Sequence, residues 1–146
     1  MFRRLLTTLT AYALLSSSAA FACRRNMPIA ERIAKSDAGT VVLAHVEQAD
    51  YIAELQNDYH PWEGFVVVKH ILKGRTDTKI FPIGRSGSSA ACDDGIPAPK
   101  PGDAWVLYLK NDEQVANYGY ELAYPLDVAR DADPDLNKLL TSSDAK

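Results

Sequence analysis

The residues best suited to chemistry are few. The 146-residue chain has two cysteines, Cys23 and Cys92, and three histidines, His45, His60 and His70. The histidines are too few and too widely spaced for a zinc-binding motif, although His45 and His70 could approach each other on neighbouring strands. Asp93 and Asp94 are adjacent, so their side chains point apart and do not converge as an acid–base pair. Asp131, Asp133 and Asp135 open like a calcium loop, but Leu136 stands at the sixth position and Ser142 at the twelfth, where Gly and Glu are required. Asp133 reads instead as a helix cap. The sequence has no nucleophile elbow, phosphate loop or H-E-x-x-H motif, which points to a protein that is not an enzyme and carries no cofactor.

Cys23 is singular because of what precedes it. Arg3 and Arg4 begin a short positive region, Leu5 to Leu15 is mostly apolar, and Ala20-Phe21-Ala22 fits a small-x-small cleavage site. Residues 1–22 therefore read as a signal peptide, and the mature chain is expected to start at Cys23 in a secreted or periplasmic setting. The apolar run is too short and too diluted by Thr and Ser for a membrane anchor, which needs roughly 20 apolar residues. The alternative is lipidation of Cys23, giving an envelope-associated structural module. Ala20 and Phe21 make a poor lipidation motif.

A processed Cys23 would carry an α-amine with an ordinary pKa of about 7.7–8.0, partly neutral near pH 7. That amine and the adjacent carbonyl oxygen could chelate a metal in a five-membered ring. In an oxidising compartment the even pair of cysteines suggests one disulfide, which would stabilise the fold by about 4 kcal/mol in the chain-entropy model. Two unpaired thiols are the alternative. Cleavage removes Arg3 and Arg4 from a chain whose formal net charge is already −3, so a basic nucleic-acid footprint is absent. Trp62, Trp105 and the tyrosines accordingly read as packing residues rather than a base-stacking platform.

The elements that must position these residues are mainly strands. The patterns predict a helix over 26–36, with Ile29, Ala30, Ile33 and Ala34 on one face, and strands over 40–49, 62–73, 77–83, 103–110 and 114–124. Pro82 places the third strand at an edge or bulge. Residues 50–61 and 84–102 read as connections, the second rich in Gly and Pro with Cys92 inside it. A terminal helix over 133–141 has Leu136, Leu139 and Leu140 as its apolar face. Five strands and short flanking helices in one domain over 23–146 suggest a mainly β fold, an OB-type antiparallel barrel.

The sequence resembles the N-terminal domain of the tissue inhibitors of metalloproteinases, within the netrin-like OB folds. The resemblance spans roughly residues 23–125. It is carried by the Cys23 start, by A-K-S-D-A-G-T-V-V-L-A-H-V (residues 34–46), by H-I-L-K-G (residues 70–74), by the S-S-A-A-C loop from Ser88 to Cys92, and by G-D-A-W-V-L-Y (residues 102–108). It implies a Cys23–Cys92 disulfide in an OB barrel. It also implies that the Cys23 amine and carbonyl ligate the catalytic zinc of a partner metalloprotease. Arg24 would then enter that protease's substrate pocket, and Ser88, Ser89, Ala90 and Ala91 would flank it. Where the inhibitors have a second Cys two residues after the first, this chain has Arg25. The partner expected is thus a zinc metalloprotease or another envelope protein.

Overall fold

A computed structural model describes residues 27–52, 61–85, 95–110 and 122–143. The order is α1 (Ile29–Ser36), β1 (Thr40–Tyr51), β2 (Trp62–Lys73), β3 (Ile80–Arg85), β4 (Ala104–Leu109), β5 (Ala123–Pro125), α2 (Leu126–Ala132) and α3 (Leu136–Ser143). The strands form one antiparallel sheet in the order β3-β2-β1-β4-β5.

The long β-branched runs form the centre. In β1, Val42, Ala44 and Val46 face one side and Val41 faces the other, and all four are buried. One apolar cluster joins Val42, Ala44, Val46, Trp62, Val66, Phe81, Ile83, Trp105, Leu107, Leu109 and Ala123. Every strand contributes to it, including both edge strands. A flat sheet would hold β3 and β5 four strand spacings apart, roughly 19 Å. Arg85 at the end of β3 nevertheless donates from Nη2 to the carbonyl oxygen of Ala123 in β5 at 2.8 Å. The sheet is therefore rolled, with its first cluster inside the roll. Among the described residues no backbone ladder joins β3 to β5, so the sheet is not closed.

The opposite face packs under the helices. Val41, Leu72, Val106, Tyr108, Tyr124, Ala129 and Leu136 form a second cluster, against which Ile29, Ile33, Leu126, Leu139 and Leu140 pack. The inward stripe of α1 is Ile29, Arg32, Ile33 and Ser36, an i, i+3, i+4, i+7 pattern, while Ala30 and Ala34 are exposed. Two polar residues can occupy that stripe because both are bonded. Arg32 Nε donates to the Met27 carbonyl at 2.9 Å, and Ser36 Oγ donates to the Ile33 carbonyl at 2.7 Å.

Local chemistry moves several boundaries. The first strand runs on to Tyr51 because Asp50 and Tyr51 still pair with Glu63 and Trp62. The third begins at Ile80 because Thr76 and Thr78 make a turn, with Thr78 N–H donating to Thr76 Oγ1. It continues through Gly84 and Arg85, which pair with Glu63 and Trp62. Of the fifth strand expected over 114–124, residues 114–121 lie outside the described residues; the described strand is Ala123–Pro125, and Pro125 leads directly into α2. The C-terminal helical region is two helices, broken where Asp133 adopts an extended conformation. Among the described residues no helix is long and apolar enough to cross a membrane.

Candidate functional site

Cys23, Arg24, Ser88, Ser89, Ala90, Ala91 and Cys92 lie outside the described residues, as does the signal segment. What the structure gives is the framework on either side of them. The described chain stops at Arg85, the end of β3, and resumes at Gly95, nine residues before β4 begins at Ala104; Cys92 lies between the two. Both ends are tied to Trp62. The indole Nε1 donates to the Ile96 carbonyl at 2.8 Å, and the Arg85 guanidinium carbon lies 5.8 Å from the Trp62 ring.

Arg85 occupies an aromatic cage. Its guanidinium is also 5.8 Å from the rings of Trp105 and Tyr124, and Trp62 meets Trp105 edge-on at 5.6 Å. Besides the bond to Ala123, Nη1 donates to the Gly84 carbonyl at 2.9 Å. A planar fork of donors suits this position, since it can meet two carbonyls while its faces and edges meet rings. Sequence reading missed Arg85 because Gly84 looked like the start of a loop. The signal was the alternation itself: Phe81, Ile83 and Arg85 fall two apart, and all three are buried.

The returning segment is held as firmly. Ile96 packs against both apolar clusters. Ala98 N–H donates to the Tyr51 hydroxyl at 3.3 Å, Lys100 N–H to Asp103 Oδ2 at 2.8 Å, and Gly102 N–H to the Val46 carbonyl at 2.8 Å. At the other chemical end of the chain, the Arg32–Met27 bond fixes the entry to α1, four residues after Cys23. Ile29 and Ile96 pack against the same second cluster.

Two open grooves flank this framework. One, of about 560 Å³, runs between the returning segment and α2, with Pro97, Pro99, Trp105 and Pro125 as walls and Lys100 and Arg130 as cations. The other, of about 550 Å³, lies between α1 and α3 over Val41 and Tyr108. There the Tyr108 hydroxyl donates to Asp133 Oδ2 at 2.9 Å. Burial first, and then the Asp133 carboxylate, push that hydroxyl far above the ordinary tyrosine range, so it remains a donor at any physiological pH. Asp133 Oδ1 accepts from Asp135 N–H at 3.0 Å. Asp133 thus organises the turn before α3, which begins at Leu136. Lys138 pairs with Asp135 at 2.8 Å; each draws the other toward its charged form, but both are exposed and the pair adds little to stability.

His45 lies opposite Val67, and His70 lies opposite Leu43, so the two histidines are on neighbouring strands with one residue of β1 between their levels. Among the described residues, no group of three or more His, Cys, Asp or Glu could hold a metal ion. No protein-family model matches the sequence, and no curated protein matches it.

Proposed function

We propose that the chain is an exported, non-enzymatic protein-binding module that inhibits a zinc metalloprotease through the α-amine and carbonyl of Cys23. Its rolled sheet would be an OB-type barrel. The observation that supports this reading is that the residues on either side of the Cys92 segment, Arg85 and Ile96, both contact Trp62. Flanking residues already held in place lose less entropy when a partner docks. A disulfide from Cys92 would extend that rigidity to the mature N-terminus. The Arg85–Ala123 bond supports the barrel, because it joins the two strands that a closed sheet would have to pair.

Arg24 sets the kind of target. In the substrate pocket a long cation is stable only beside an acidic group, so the target is a protease with an acidic pocket. The test is inhibition of such a protease by the protein processed to Cys23. Inhibition should fall at least a hundredfold when the α-amine is acetylated or an Ala precedes Cys23. Unchanged inhibition after either modification would rule out chelation by the terminus.

A further inference from the structure

The tip of the β2–β3 hairpin carries charge opposite in sign to the chain. Lys69, Lys73, Arg75 and Lys79 are exposed there against a single acid, Asp77, in a chain of formal net charge −3. The ion pairs among the described residues, Lys35–Glu31 and Lys138–Asp135, use none of these cations. Lys73 Nζ donates to the Ala38 carbonyl, a bond that leaves its charge in place.

The tip is held in one shape. Thr40 Oγ1 donates to the Arg75 carbonyl at 3.0 Å. Gly74, at φ +71°, sits so close to Gly39 and Thr40 that a Cβ there would overlap the Gly39 carbonyl oxygen. Thr76 is buried, with Thr78 N–H bonded to its hydroxyl.

Beside the cations lies an uncovered apolar face. Phe65 pairs with Pro82 and Val67 with Ile80 across β2 and β3. Phe65 is 52% exposed and Ile80 is 58% exposed. Neither lines either groove. The face is graded, since Glu63 stands at its far end and the basic tip at the other.

We propose that this face docks on a bilayer containing anionic phospholipids, basic tip first. Phe65 and Ile80 would sit at the boundary of headgroups and acyl chains, while the long Lys and Arg side chains reach outward to lipid phosphates. An exposed apolar pair rimmed by long cationic side chains matches a laterally mobile array of negative charge. The overall acidity of the chain would keep the rest of the molecule off the surface. The inference is independent of what Cys23 binds.

Co-sedimentation of the exported protein with vesicles tests it. Vesicles of phosphatidylcholine with phosphatidylglycerol should bind, and vesicles of phosphatidylcholine alone should not. Binding should weaken at least tenfold on raising salt from low to about 0.5 M. Lys69→Glu with Lys79→Glu should cost about tenfold in affinity, and Phe65→Ser should cost a similar factor with an unchanged circular dichroism spectrum. Should Phe65→Ser disturb the spectrum, Ile80→Ser at the exposed edge provides the same test. Equal binding to both vesicle types, insensitive to the lysine changes, would overturn the proposal and point to a lipid on Cys23. Absence of vesicle binding, or an acidic protein that competes the vesicles off without itself needing Lys69 and Lys79, would also overturn it.

Discussion

At the scale of the residue, Arg85 explains how a strand edge, an aromatic cage and a loop are joined. It is buried, contacts three rings, and donates to carbonyls on β3 and β5. Hydrogen bonds from a charged donor are worth about 1.5–3 kcal/mol each. Arg85→Ala should therefore lower stability by about 3 kcal/mol, read by urea denaturation, because the buried Ala123 carbonyl loses its donor. Arg85→Lys keeps the charge but not the fork, and should lose about half as much. A lysine variant as stable as the parent would mean that the fork geometry contributes nothing. The same residue marks the limit of what a sequence pattern conveys. Phe81, Ile83 and Arg85 alternate inward in the structure, but a charge after a glycine carries the signature of a loop. Only its partners, supplied by residues as distant as Ala123, make its burial favourable.

At the scale of the element, the β1–β2 pair shows why some strands were legible and others not. Trp62–Lys73 is bounded by Pro61 and Gly74 and filled with β-branched residues, so pattern and structure agree at both ends. Leu126–Ala132 is too short for any periodicity to accumulate, and its identity rests on packing against the second apolar cluster. The register of β1 on β2 shifts three times, and Gly64 lies beside one of the shifts, between Val46 and Gln48. A Cβ on Gly64 would overlap the Gln48 carbonyl oxygen and lie 2.8 Å from the Ala49 Cα. Gly64→Ala should thus force the strands apart and cost about 3 kcal/mol. Gly95→Ala is the contrasting change. Its φ of +75° strains an alanine, but no atom lies within 4 Å, so the expected cost is about 1 kcal/mol. Thermal unfolding of the two variants should separate them clearly; equal losses would mean that close backbone approach is not what selects glycine at position 64.

At the scale of the whole molecule, one rolled sheet presents two different ends to the outside. The tethers at Arg85, Ile96 and Met27 frame the segments that carry Cys92 and Cys23. The β2–β3 tip carries the segregated positive charge. The mainly β architecture was readable from alternation and turn residues. A closed barrel was expected; among the described residues the sheet is rolled but not closed, and the side chain that bridges its two edges, Arg85 to Ala123, belongs to no local pattern. The proposed inhibition depends above all on the chemical state of Cys23. Intact mass of the expressed protein, measured before and after reduction, tests that state most directly. The expected result is the mass of residues 23–146 with no added lipid, and a gain of two hydrogens on reduction as the proposed Cys23–Cys92 bond opens. A lipid adduct, a retained leader or an unchanged mass on reduction would contradict it.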